Sequence, residues 1–143
     1  MINFELLRDP PKPRGLRMEL SLAASSSESS VWVGEAAFGL LEPSVKEHCV
    51  GYKEFSHWGV TEIRREEWSE IRKDWQGLAA ALERATAASD YTGRACRWSS
   101  EASREFAENF SAVRSGLLQL ISELSAWIED AMESHQSVFL RGV

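Results

Sequence analysis

Three histidines and two cysteines have the widest chemical repertoire of the side chains in this sequence. His48, His57 and His135 lie far apart along the chain, and Cys49 and Cys96 do not form a Cys-x-x-Cys pair. Zinc sites usually draw their ligands from short motifs such as Cys-x-x-Cys or His-Glu-x-x-His, which are missing here. Folding could bring His48, Cys49 and Cys96 together, but the spacing alone predicts neither a metal site nor a cysteine–histidine nucleophile pair.

The sequence motifs of common enzyme classes are missing as well. The chain has no G-x-S-x-G nucleophile elbow, no G-x-x-x-x-G-K-[ST] phosphate loop and no G-x-G-x-x-G dinucleotide fingerprint. We therefore expect a non-enzymatic protein with no catalytic residues and no cofactor. An enzyme whose active site assembles from distant residues is an alternative. The two cysteines predict free thiols in a reducing compartment, because a chain of this size does not need a disulfide to fold.

Acidic side chains on one helix face form a candidate binding surface. Glu66, Glu70 and Asp74 lie at i, i+4 and i+8 of a predicted helix, which places their carboxylates on one outer ridge. Such a ridge could bind a basic surface. A mixed, solvated helix face is the alternative, because three basic residues stand beside the acidic ones: Arg65, Arg72 and Lys73.

Trp58 lies in a loop segment, beside polar residues and away from any regular apolar pattern. Exposed tryptophans often anchor protein interfaces, so Trp58 is a candidate contact. The alternative is that it fills the junction between sheet and helix. Trp68, Trp75 and Trp127, by contrast, fall on helical seams and are predicted to pack in the core.

Length, composition and charge limit the classes of protein to which this chain can belong. Its 143 residues fit one domain with one core. A hydrophobic fraction of 43% and a charged fraction of 27% are those of an ordinary globular protein. The net charge of −6 argues against nucleic-acid binding, which needs a basic surface. No segment has the pattern of a signal peptide or the ~20 apolar residues of a membrane helix, so we expect a soluble cytoplasmic protein without a membrane partner.

Residues 1–63 carry mainly strand and loop patterns. Residues 2–6 alternate apolar and polar side chains, and residues 16–22 do so strictly, which predicts a short strand and a longer one. The polar run at 25–30 separates the longer strand from a β-like segment at 31–33. These two segments are therefore predicted to form a hairpin.

Four segments allow more than one interpretation or carry a weaker pattern. Residues 35–41 fit both a strand and a helical face, and we favour a strand to about Phe38. Residues 43–49 fit a short helix with proline in its first turn. Residues 52–63 predict a structured loop or an edge strand leading into a helix. Residues 137–141 predict either a terminal strand or a packed tail.

At about residue 64 the spacing of apolar residues changes from two to steps of three and four. Steps of three and four predict a helix over residues 64–88, with an apolar seam at Trp68, Ile71, Trp75, Leu78, Leu82 and Ala85. A second seam predicts a long helix over residues 99–136, with Ser99 or Ser100 as its N-cap. A helix of that length would protrude from a compact domain unless it bends, and the Ser115-Gly116 pair is the predicted position of the bend.

Together these patterns predict an α+β fold in a single domain over residues 1–143. A small N-terminal antiparallel β-sheet packs against a long antiparallel helix pair. The segment 99–143 has seven acidic residues against three basic ones, a net charge of −4. We therefore expect the helix pair to present negative charge and its partner to be basic.

The stretch from Tyr52 to Trp68 has the sequence Tyr-Lys-Glu-Phe-Ser-His-Trp-Gly-Val-Thr-Glu-Ile-Arg-Arg-Glu-Glu-Trp. It lies behind the predicted hairpin and ahead of the helix pair. In this arrangement the chain resembles the small acidic bacterial proteins that act as immunity partners of polymorphic or contact-dependent inhibition toxins. The resemblance implies a cytoplasmic monomer or small oligomer that binds a cognate toxin domain and blocks its active site or its access to substrate.

The expected contact area combines the segment 54–67 with the acidic face of the second long helix, and six residues are proposed as contacts. They are Glu54, His57, Trp58, Glu62, Glu66 and Glu70. The alternative function is a homo-oligomeric structural or scaffold protein whose long helices pair between subunits. The sustained spacing of three and four permits such pairing.

Overall fold

A computed structural model of the chain describes residues 2–9, 17–23, 29–52, 59–91 and 98–142. Five strands lie in this part of the chain: β1 (Leu6–Leu7), β2 (Arg17–Ser21), β3 (Val31–Gly34), β4 (Val60–Arg64) and β5 (Ser137–Gly142). It also holds five α-helices: α1 (Glu35–Phe38), α2 (Glu42–His48), α3 (Arg65–Arg84), α4 (Ser100–Glu108) and α5 (Phe110–Met132). A short 3-10 turn follows α3 at Ala88–Asp90.

The five strands form one antiparallel sheet in the order β1-β3-β2-β5-β4. β2 and β3 form the predicted hairpin, with Leu20 opposite Val31. β5 lies between β2 and β4, so that Leu140 stands opposite both Leu20 and Thr61. The segment at 137–141 is therefore a strand inside the sheet and not a tail. The sheet, predicted as N-terminal, also includes the last described strand.

The hydrophobic core lies between one face of this sheet and the helices. The predicted α3 seam is buried, and Trp68 and Trp75 are among its fully buried members. α5 buries apolar side chains at steps of three and four: Val113, Leu117, Leu120, Leu124, Ile128 and Ala131. Each large apolar side chain buried in this way contributes about 1.5–3 kcal/mol to folding. The predicted α+β fold, a sheet packed on an antiparallel helix pair, is confirmed.

Two arginines fix the antiparallel order of α3 and α5. Arg114, near the start of α5, donates from Nε to the Leu82 carbonyl at 2.7 Å and from Nη2 to the Glu83 carbonyl at 3.0 Å. Arg65, the first residue of α3, donates from Nη2 to the carbonyl of Met132, the last residue of α5, and to that of His135 just beyond it. The last carbonyls of a helix have no partner within it and carry partial negative charge. Each guanidinium group therefore caps the helix beside its own.

The second predicted helix is divided into α4 and α5 at Asn109, whose backbone (φ −126°, ψ 44°) is not helical. The interruption thus lies before the Ser115-Gly116 pair, and α5 continues through that pair. Gly116 has a different role, because a Cβ there would lie 2.3 Å from the ring of Phe4. The predicted N-cap is confirmed at Ser99, whose Oγ accepts the Ala102 amide hydrogen at 3.1 Å.

Residues 35–41 form a helix and a turn, so the favoured strand to about Phe38 is wrong. β3 ends at Gly34, and the buried side chains that follow are spaced as one helical face: Ala37, Phe38, Leu40 and Leu41. Ala36, which a strand would turn to the same side as Phe38, is exposed. The short apolar run fits both periods, and packing against the core selects the helix.

Two tryptophans hold the turn after α1 in place. The indole N–H of Trp75 donates to the Leu41 carbonyl at 3.1 Å, and that of Trp98 donates to the Leu40 carbonyl at 3.0 Å. Buried carbonyls need such partners, because no water reaches them. The predicted short helix at 43–49 follows as α2, with proline in its first turn.

The two edges of the sheet differ in length. Of the predicted strand at 2–6, only the short β1 at Leu6–Leu7 pairs with β3. At the opposite edge lies β4, which leads into α3. Of the two predictions for residues 52–63, a loop or an edge strand, the edge strand is thus found at its C-terminal end. Among the described residues, no helix is both long and apolar enough to span a membrane.

Candidate partner-binding surface

Three of the six predicted contacts lie in the described part of the chain, and all three are exposed. Glu62 is on β4, where the side chains of Thr61 and Ile63 point to the core and Glu62 points to the other face. Glu66 and Glu70 lie in the first turns of α3. The other predicted contacts fall outside the described residues: Glu54, His57 and Trp58.

β4 passes into α3 without a loop, which places Glu62 and Glu66 at one end of the helix pair. The Glu67 carboxylate accepts the backbone N–H of Arg64 at 3.0 Å, as in a capping box. This hydrogen bond stabilises the first turn of α3. Arg65 then donates to carbonyls at the end of α5, including that of His135 at 3.0 Å. The start of α3 therefore lies against the end of α5.

Four exposed carboxylates at this end of the helix pair, Glu62, Glu66, Asp130 and Glu133, define what we call the acidic end. None of them forms an ion pair with another described residue. Basic side chains on the neighbouring part of α3 are already occupied (Arg72 with Glu129 at 3.1 Å and Lys73 with Glu70 at 3.2 Å). Arg65, at the same end, donates to carbonyls and pairs with no carboxylate among the described residues, so one positive charge stands beside the four negative ones. The acidic end therefore keeps a net negative charge.

The predicted acidic ridge on α3 is shorter than its spacing indicates. Glu66 and Glu70 face solvent, but the Asp74 side chain is only 16% exposed and lies 3.0 Å from Nε2 of His48. α2 packs against this flank of α3 and covers Asp74. The placement of Asp74 on an outer ridge is therefore corrected, because a helical period cannot show which flank a second helix will cover.

An apolar patch adjoins the acidic end on the outer face of β4 and β5. Val60 is 45% exposed, and the half-buried Phe139 stands directly opposite Glu62. Next to Val60 in the same row is Arg141, whose Nε donates at 3.0 Å to the buried carboxylate of Glu19. Sequence reasoning missed Val60 and Phe139, although the alternation of 137–141 would have given Phe139 once that segment was assigned as a strand.

One group of metal-ligand side chains occurs among the described residues: Glu47, His48 and Asp74, whose ligand atoms all lie within 4.8 Å of one another. Cys49, the next residue along, is not part of it. Burial raises the pKa of the Cys49 thiol, and the Glu67 carboxylate raises it further. The thiol is therefore held in its unreactive protonated form. The second cysteine lies outside the described residues.

Comparison of the chain with protein-family models, with curated proteins and with solved structures finds no match. The resemblance to immunity proteins therefore stays a prediction from the sequence. What the described surface offers to a partner is negative charge beside a partly exposed apolar patch. That combination suits a protein with a basic surface, because interfaces join an apolar centre to a polar rim of complementary charge.

Proposed function

We propose that this protein is an immunity protein, which binds a cognate bacterial toxin domain and neutralises it without catalysing a reaction. The observation that carries the proposal is the acidic end. Its four exposed carboxylates have no ion-pair partner among the described residues. Toxin domains that attack nucleic acid need a basic surface for their substrate. An acidic protein that covers this surface would block access to the substrate.

The adjoining apolar patch would lengthen the lifetime of the complex, which charge alone does not do. Charge complementarity mainly speeds association, whereas a buried apolar centre sets the lifetime of a complex. Val60 and Phe139 lie beside Glu62 and can form such a centre with the carboxylates as its rim. A stable complex buries roughly 800 Å² on each partner. The acidic end and the patch together are the proposed contact region, in a cytoplasmic complex.

One observation argues against the alternative, a scaffold protein whose long helices pair between subunits. It rested on the sustained apolar spacing of the two long helices. The described side chains on those seams, such as Trp75 and Leu120, are fully buried within a single chain. No second apolar seam of this kind remains exposed on α3 or α5.

The first experiment asks whether the partner exists. The protein is affinity-purified from its native organism, and bound proteins are identified by mass spectrometry. The proposal expects a basic protein that arrests growth when expressed alone and is harmless when co-expressed with this chain. If no co-purified protein is toxic, or if co-expression gives no protection, the proposed function is wrong.

The second experiment asks whether the acidic end is the contact. The triple variant Glu62→Gln, Glu66→Gln, Glu133→Gln should slow association by roughly tenfold and weaken its salt dependence, because steering charge is lost. A matched variant removes three exposed carboxylates elsewhere with the same change in net charge (Glu83→Gln, Glu101→Gln and Glu108→Gln). Equal effects of the two variants on the association rate would place the contact elsewhere.

A further inference from the structure

The end of α2 brings two metal-binding side chains against one from α3. Nε2 of His48 lies 3.0 Å from Oδ2 of Asp74 and 4.0 Å from Oε2 of Glu47. One ligand atom from each residue falls within 4.8 Å of the other two. The three residues come from two helices, and His48 and Asp74 are 26 residues apart in sequence. Packing of α2 on α3 therefore assembles the group.

We propose that Glu47, His48 and Asp74 bind a divalent transition-metal ion, and specifically zinc. Zinc accepts imidazole nitrogen and carboxylate oxygen ligands at about 2.0–2.2 Å in a tetrahedral arrangement. Tetrahedral ligands at that bond length are roughly 3.4 Å apart. The distances of 3.0 and 4.0 Å from His48 Nε2 bracket this value. The third pair of ligand atoms, from Glu47 and Asp74, lies within 4.8 Å, so rotation of the two carboxylates has to close the remaining gap around an ion.

The donor set selects the metal class. An imidazole nitrogen favours zinc and its neighbours in the transition series, whereas magnesium and calcium prefer oxygen ligands alone. The fourth position is left to water, because the site is open on one side. The Glu47 side chain is 44% exposed, whereas those of His48 and Asp74 are 23% and 16% exposed. Three protein ligands and an open position suit a reversibly bound ion rather than a closed structural one.

The competing explanation is a plain hydrogen bond between His48 and Asp74 that ties α2 to α3. In that explanation Glu47 and Asp74 serve the contacts that each makes within the fold, and the Glu47 carboxylate, 4.0 Å from the ring nitrogen, is too far away to hydrogen-bond to it. The two explanations differ in whether removing the Glu47 charge affects metal binding.

The test is titration of the full chain, stripped of metal by a chelator, with zinc chloride in a calorimeter. We expect one zinc ion per chain. His48→Ala should weaken the affinity by more than about tenfold, since even loss of an outer-shell partner costs about 10- to 100-fold. Glu47→Gln, which keeps the size of an exposed side chain and removes its charge, should weaken it as well. His135→Ala is the matched control, because this histidine bonds to Ser134 and to the Ala131 carbonyl, outside the group.

Two further readouts separate a ligand role from a structural one. The X-ray absorption spectrum of the zinc-loaded protein should show one imidazole per ion and no sulfur ligand. Bound zinc should also raise the melting temperature, because the ion joins α2 to α3 in the folded state only. Absence of zinc binding at micromolar concentrations, binding that survives both His48→Ala and Glu47→Gln, or a sulfur ligand in the spectrum would each overturn the proposal.

Discussion

Replacing Gly116 with alanine should lower stability, although the same change in an unobstructed helix should raise it. A Cβ at position 116 would lie 2.3 Å from Cδ2 of Phe4, and the three nearest atoms all belong to that ring. Carbon atoms of separate residues normally come no closer than about 3.5 Å. The ring must therefore move by roughly 1.2 Å, the difference between 3.5 and 2.3 Å, or leave its place on α5.

The size of the effect follows from two opposing contributions. Alanine in place of glycine inside a helix stabilises by about 1 kcal/mol. Overpacking a well-filled contact costs about 1–3 kcal/mol. With a cost near the middle of that range, Gly116→Ala should destabilise the protein by about 1 kcal/mol. Gly77 in α3 is the matched control, since nothing lies within 4 Å of its added Cβ. Gly77→Ala should stabilise by about 1 kcal/mol.

Urea denaturation followed by tryptophan fluorescence measures both changes as shifts of the midpoint at constant slope. In a Phe4→Ala background the obstruction is gone, and Gly116→Ala should become stabilising by about 1 kcal/mol. This reversal of sign corresponds to a coupling energy of about 2 kcal/mol between the two positions. If Gly116→Ala instead stabilises the unchanged protein as much as Gly77→Ala does, the packing of Phe4 on α5 is refuted.

Three further predictions concern stability, titration and reactivity. Arg114→Met replaces the aliphatic part of the side chain but removes both donors to the end of α3, and should lower the free energy of unfolding by about 1–3 kcal/mol in urea. Thr86 holds the pKa of Asp90 below its usual value, so NMR titration of Thr86→Val should show that pKa rising. The accompanying stabilisation is present above the unfolded-state pKa of about 3.9 and is lost as the pH falls through the lower folded-state pKa. The Cys49 thiol, with its raised pKa, should react with a thiol reagent at neutral pH only on unfolding.

The helix pair could be predicted because its apolar residues recur over many turns, whereas shorter features could not. Trp68 and Trp75 stand one heptad apart, and only a helix buries both. The break at Asn109 leaves no such mark. Phe106 and Phe110 flank it at a helical step of four and still pack at 5.2 Å between ring centroids, so the seam runs on across the break. The apolar spacing continues unchanged across Asn109, so it cannot show that the backbone leaves the helical conformation there.

The proposed surface could be predicted in part. The exposure of Glu62 follows from alternation along β4, and that of Glu66 from the helical period. The position of Asp74 did not follow, because its partner His48 comes from a distant helix. Phe139 lies beside Glu62 because β5 pairs with β4. The sequence did not predict this pairing, since it left open whether residues 137–141 form a strand. Local periods show which side of an element faces out, but not what then lies beside it.

The place of β5 inside the sheet has a consequence for the growing polypeptide. Met18 pairs with Gly142, and β5 lies between β2 and β4 in the sheet. Until the ribosome has passed residue 142, the two halves of the sheet have no strand between them, and two long backbone edges stay open. Such edges can pair with other chains, and contacts so distant in sequence form slowly. Until β5 is made, the nascent chain should therefore depend on a chaperone, or on rapid synthesis of β5, more than a purely helical chain would.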